Sequence, residues 1–151
     1  MDRIIATVDP GKNGAIVFYG KDTFAVYKYK EPSALSQLLD QFDAEIKEVY
    51  FEQVNSFRGE MESNPGKAMA MQGLFERTNV HKGIFIANGW MVHSVNPRTW
   101  QKTCRLPSIK GETDTAKKNR YKERAQRIFQ KVKVTKWNSD ALLILYHVIR
   151  K

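Results

Sequence analysis

Apolar residues in the first 30 positions fall in short runs broken by turn residues, a pattern of strands rather than helices. Residues 3–9, Arg-Ile-Ile-Ala-Thr-Val-Asp, form a β-branched run halted by Pro10-Gly11, which predicts a strand ending on Asp9. Gly14 closes the turn, and Ala15-Ile16-Val17-Phe18-Tyr19 begins a second strand paired as a hairpin. A third strand is predicted from Phe24 to Tyr29. Pro32 then opens a helix, because Leu35, Leu38, Leu39 and Phe42 recur at helical spacing. Val49-Tyr50-Phe51-Glu52-Gln53-Val54 is a fourth strand. Residues 55–65 have no periodicity and read as an exposed loop. A helix is predicted over 66–80 with Met69, Met71, Leu74 and Phe75 on its apolar side. The start of 83–96 reads as helical and residues 90–95 as a fifth strand. A basic helix over 114–131 carries Tyr121, Ala125, Ile128, Phe129 and Val132 on one face. The last helix begins at Ser139 or Asp140. This order predicts an α/β fold, a mixed sheet with helices on its faces, in a single domain spanning 1–151.

Charge sharpens the picture. Residues 1–100 hold 11 Lys/Arg against 12 Asp/Glu, whereas residues 101–151 hold 14 against 4, so the net charge of +9 comes from the last third. Such a concentrated basic region favours a polyanionic partner, since each Lys or Arg set on a phosphate releases a counterion. A solvated basic face without a partner gives the same count. The single cysteine, Cys104, makes no internal disulfide and fits a reducing cytoplasmic compartment. No apolar run reaches the ~18 residues of a membrane span, and the N-terminus is too quickly charged for a secretory signal.

Two apolar strands end in an acid, which is costly beside a sheet core unless the carboxylate is paired or metal-bound. Asp9 ends the first strand and Glu52 lies near the end of the fourth. As parallel neighbours at a spacing of about 4.8 Å, the strands would let both carboxylates share a cation. Asp140 stands in the first turn of an apolar helix, where the helix dipole favours negative charge. Three hard oxygen donors beside a basic surface suit Mg²⁺, or Mn²⁺ in its place, better than zinc. Each acid also has a plainer reading: Asp9 as a turn aspartate, Glu52 as a half-exposed strand residue, Asp140 as a helix N-terminal charge.

Taken in order, Val8-Asp9-Pro10-Gly11 with Gly14-Ala15, Phe51-Glu52-Gln53-Val54 and Ser139-Asp140-Ala141-Leu142-Leu143-Ile144 resemble the motifs of RuvC-type Holliday junction resolvases, especially the small phage versions. Residues 95–100 and 125–129 share the likeness, which runs over nearly the whole chain. The resemblance implies an RNase H-like nuclease fold with a five-stranded sheet. It also implies a homodimer acting on branched DNA and Mg²⁺-dependent paired nicks that resolve a four-way junction in recombination and repair. It places the metal on Asp9, Glu52 and Asp140. It makes residues 55–65 the loop that reaches into the junction, with Phe57 and Met61 as wedges and Arg58 as a DNA contact. The helix around residues 67–76 would lie at the two-fold axis, although core burial of Met69, Met71, Leu74 and Phe75 is the simpler reading.

The sequence departs from that family at Trp137, where many members carry a fourth acidic or histidine ligand. Asn138 and His147 are the nearby substitutes, but His147 lies about 10.5 Å along the helix from Asp140 at 1.5 Å per residue. Lys110, Lys117 and Lys118 are the expected cationic helpers, with Lys118 assigned to the scissile phosphate. Arg120, Lys122 and Arg124, with Arg127, would hold the arms of the junction. Three rivals remain open: an RNase H-like nuclease for RNA/DNA hybrids or other branched DNA, a non-catalytic junction-binding protein, and an actin-like ATPase. The last begins with a similar hairpin but needs two subdomains, and no second phosphate motif is present.

Overall fold

Strand β1 (Arg3–Val8) occupies the middle of the sheet, and every part of the candidate site is placed relative to it. The structure is a computed structural model that describes residues 2–11, 13–29, 31–54 and 64–150. Strands β2 (Ala15–Gly20), β3 (Thr23–Lys28), β4 (Ile46–Glu52) and β5 (Met91–Val95) complete a five-stranded sheet in the order β3-β2-β1-β4-β5. The pairs β1/β2 and β2/β3 are antiparallel, and β1/β4 and β4/β5 are parallel. The described residues form five helices: α1 (Pro32–Leu39), α2 (Pro65–Ala87), α3 (Pro97–Thr103), α4 (Asp114–Ile128) and α5 (Ser139–Ile149). The predicted α/β fold with a mixed sheet is the fold observed.

Alternation along the strands decides which face each side chain meets. Ile4, Ala6 and Val8 of β1 join Val49 and Phe51 of β4 in one core, sealed by Leu35, Leu38 and Leu39 of α1 and Phe85 of α2. Phe18 stacks on Phe42 there with ring centroids 4.1 Å apart. Ile5 faces the other way, into a second core with Trp100, Tyr121, Ala125 and the buried run 141–145. Thr7, Asp9, Tyr50 and Glu52 share the parity of that second face. The register sets Val8 opposite Phe51, so Asp9 and Glu52 follow side by side on it.

Helix α5 is the centre of the second core. Ala141, Leu142, Leu143, Ile144 and Leu145 are all fully buried, so this stretch of the helix is apolar all round and encased by protein. Its only acid, Asp140, lies in its first turn and so emerges at the edge of the core.

Several elements differ from the expectation. Residues 65–87 make one 23-residue helix rather than a helix over 66–80 and a separate start near 83. A Cβ at Gly83 would meet nothing within 4 Å, so Gly83 lies on an open face and its ~1 kcal/mol propensity cost is borne by the packing of the turns around it. Helix α3 was not anticipated, although Asn96-Pro97 is a cap-and-N1 signal: the Asn96 side chain accepts from the Arg98 N–H at 2.9 Å. The basic helix stops at Ile128, because Phe129 leaves helical geometry at ψ 72°. Trp90 is buried but precedes β5. On α2 the buried positions are Ala68, Thr78, His81 and Phe85, whereas Met69 is 72% and Phe75 40% exposed. The predicted apolar side of that helix therefore does not lie in the core.

Candidate metal centre

Asp9 follows the last residue of β1, held by its backbone N–H donating to the Ala15 carbonyl at 3.0 Å. The turn that allows this pairing depends on Gly14, whose N–H donates to the Gly11 carbonyl at 2.9 Å. A Cβ on Gly14 would collide with the Asp9 carbonyl oxygen, which is backbone and has no room to yield. Gly14→Ala is therefore expected to destabilise the protein by about 1–3 kcal/mol. Thermal denaturation should read this as a fall of roughly 2–4 °C per kcal/mol.

Glu52 is the last residue of β4, and its neighbour Gln53 continues the pairing by donating to the Val95 carbonyl at 2.8 Å. Asp140 comes from α5. One carboxylate oxygen from each of Asp9, Glu52 and Asp140 lies within 4.8 Å of the other two. All three are part-buried and line a cleft of about 660 Å³ with Lys117, Lys118 and Trp137.

Three acids so close resist ionising together. Burial is the main reason that Asp9 is raised to about 6, with a hydrogen bond from the Gly11 backbone working against it. Glu52 rises to about 8, first through burial, then through the charges of Asp9 and Asp140, with Lys117 opposing. Asp140 rises to about 7 through burial and Asp9, against Lys117 and Lys118. A divalent cation removes this repulsion, and an all-oxygen donor set suits Mg²⁺ or Mn²⁺. The residues present fit such an ion.

No family model matches the chain, and no curated protein matches it. Solved structures do. The chain superposes on T. thermophilus RuvC in complex with a Holliday junction substrate with a TM-score of 0.52 at 12% identity, covering 95% of this chain and 91% of that one. A second Thermus thermophilus RuvC structure gives 0.52 at 13% identity, covering 95% and 92%. The fold is that of RuvC.

Within this RuvC-like, RNase H-type architecture the remaining predicted residues fall into three groups. Lys117 and Lys118, exposed in the first turns of α4, line the cleft with the carboxylates. Lys110 lies on the exposed segment before α4, and Lys122 is farther along it, neither in the cleft lining. Arg120 and Arg124 are committed to the protein itself. Arg120 donates to both Glu112 carboxylate oxygens at 2.9 and 2.8 Å and to the Pro107 carbonyl at 2.9 Å. Arg124 donates to the Cys104 carbonyl at 2.8 Å. Together they brace the segment between α3 and α4. Phe57, Arg58 and Met61 lie outside the described residues.

Neither substitute for the fourth ligand serves as one here. The Asn138 amide oxygen accepts from the Thr135 N–H at 2.8 Å and its amide nitrogen donates to the Lys133 carbonyl at 3.1 Å, so the side chain ties down the loop before α5. His147 is buried with its Nδ1 2.7 Å from the Thr103 hydroxyl. Trp137 lines the cleft with the Lys28 ammonium 5.5 Å above its ring. Lys28 and Lys136 also line the cleft, and nothing in the sequence marks them, because neither belongs to a periodic pattern or an acidic motif.

Among the described residues no helix is long and apolar enough to cross a membrane.

Proposed function

We propose that the protein is a metal-dependent endonuclease that resolves four-way DNA junctions by paired nicks. The observation that carries this reading is the convergence of Asp9, Glu52 and Asp140 within 4.8 Å in a cleft that also holds Lys117 and Lys118, on a fold shared with RuvC. The carboxylates would hold Mg²⁺, or Mn²⁺ in its place; such an ion activates water and stabilises the leaving oxygen in phosphodiester hydrolysis. With Trp137 where a fourth ligand is expected, Asp9, Glu52 and Asp140 are the clustered donors among the described residues, and water and phosphate oxygens would complete the coordination.

The lysines act on the substrate. Lys118, with Lys117, sets positive charge beside the scissile phosphate and stabilises the charge that builds on it. Lys110, Lys122 and Lys136 hold phosphates along the arms, while Arg120 and Arg124 contribute mainly by fixing the segment that presents Lys110. Phe57 and Arg58 belong to the segment assigned to the junction centre. The exposed Met69 and Phe75 support a homodimer through α2, which would supply the two centres that paired nicks need. A cytosolic setting, in bacteria or phage-infected cells, suits the free Cys104.

A panel of labelled substrates tests the proposal. With Mg²⁺ the protein should nick a four-way junction symmetrically on opposing strands and leave linear duplex intact. Equal cutting of an RNA/DNA hybrid would replace the junction with a different substrate. Tight junction binding without any nicking would make the protein a binding module.

A further inference from the structure

The interior of β1 contains one polar residue, Thr7, two positions before Asp9 on the same face, and it is fully buried. Valine has nearly the same shape and would suit this apolar core without a hydroxyl to satisfy. The hydroxyl has a specific partner: Thr7 Oγ1 donates to the Ala141 carbonyl at 2.8 Å, across 134 residues of sequence. Ala141 is the residue after Asp140. The bond therefore joins the strand that carries the first carboxylate to the helical turn that carries the third.

The other polar contacts of that turn are local, within residues 133–142. Asn138, at the helix N-cap, makes no side-chain cap bond to α5, because its amide is spent on Thr135 and Lys133. Two further bonds hold α5, from the Cys104 thiol to the Leu143 carbonyl at 3.4 Å and between His147 Nδ1 and the Thr103 hydroxyl at 2.7 Å, but both run to α3 and its C-cap and neither reaches the strand that carries Asp9. The 2.8 Å bond from Thr7 is the directional contact that ties the first turn of α5 to β1. We propose that Thr7 is a positioning residue for the metal centre: its bond to the Ala141 carbonyl sets the first turn of α5 against β1 and thereby the distance of Asp140 from Asp9. The inference deepens the nuclease reading and rests on its metal centre, though not on the choice of DNA substrate.

Titration of the purified protein with Mn²⁺, followed by calorimetry, tests it without reference to DNA. Thr7→Val should weaken Mn²⁺ binding about ten-fold, in the range seen when the support of a metal ligand is removed. Thr7→Ser, which keeps the hydroxyl, should restore it to within about two-fold of wild type. Thr7→Ala guards against a packing artefact of valine and should show the same loss. In junction cleavage, the Mn²⁺ concentration for half-maximal rate should rise in parallel. Variants that lower the melting temperature but bind Mn²⁺ like wild type would overturn the proposal, leaving Thr7 as a satisfied core hydroxyl. A wild-type protein that binds no Mn²⁺ would overturn it as well. A wild type that binds Mn²⁺ but nicks no junction, with the Thr7 ranking intact, would refute the nuclease reading and leave this inference standing.

Discussion

Asp9→Asn, Glu52→Gln and Asp140→Asn should each abolish Mg²⁺-dependent junction nicking while leaving junction binding at or above the wild-type level. The three carboxylates form one donor set within 4.8 Å, so removing any one of them alters the whole set. Loss of metal-supplied transition-state stabilisation is worth several kcal/mol, which corresponds to a rate reduction on the order of a thousand-fold. Binding moves the other way: the lysines remain, and one negative charge that repels phosphate is gone. Gel-shift and nicking assays on the same preparations separate the two effects. An Asp140→Asn protein that cuts like wild type would show that the cluster is not the catalytic centre.

The second large effect concerns stability and pH without metal. The folded protein raises Asp9 to about 6, Asp140 to about 7 and Glu52 to about 8, from ordinary values of 3.8, 3.8 and 4.5. Between about pH 4 and pH 8 the folded state thus binds more protons at these sites than the unfolded chain does. Their contribution is most favourable near the low end and is lost as pH rises through the folded-state values. The metal-free protein should therefore melt lower at pH 8 than at pH 5.5, by about 5–10 °C, taking a few kcal/mol as the scale. Mg²⁺ or Mn²⁺ should reverse this, with a melting shift that is largest at pH 8 and fades toward pH 5.5 as protons compete for the carboxylates. Glu52→Gln should flatten both trends, because it removes the most strongly raised group. A chelator titration at two pH values, followed by calorimetry, measures all of this; equal melting shifts at both would contradict it.

The sheet and its acids were legible in the sequence because both depend on local patterns. β-branched runs closed by Pro10-Gly11 and Gly14 defined the hairpin, and apolar strands ending in Asp9 and Glu52 marked an unusual cost that a cation relieves. That the two acids stand side by side on one face follows from the register of β1 on β4, which no local pattern gives. What escaped was set by distant partners. Nothing near Arg120 announces that Glu112 and Pro107 claim its guanidinium, nor near Arg124 that the Cys104 carbonyl does. Both therefore read as free cations in a basic helix. Met69 and Phe75 show the same limit: helical spacing identifies an apolar stripe but not whether the rest of the chain covers it. The continuity of α2 through Gly83 was hidden because glycine's cost is local and its compensation is not. Helix α3 was locally encoded by Asn96-Pro97, and there the signal was present but read only as a motif.

The bond from Thr7 to Ala141 has a consequence for how the protein is made. β1 leaves the ribosome long before α5, yet the two meet in the second core. At roughly 5–20 residues per second, β1 waits several seconds for the helix that completes it. Once β4 has followed, the nascent chain carries Asp9 and Glu52 without Asp140. A chain halted during translation before α5 emerges thus has neither a finished second core nor the three carboxylates together, and the capacity to hold the ion arises only once α5 has been made.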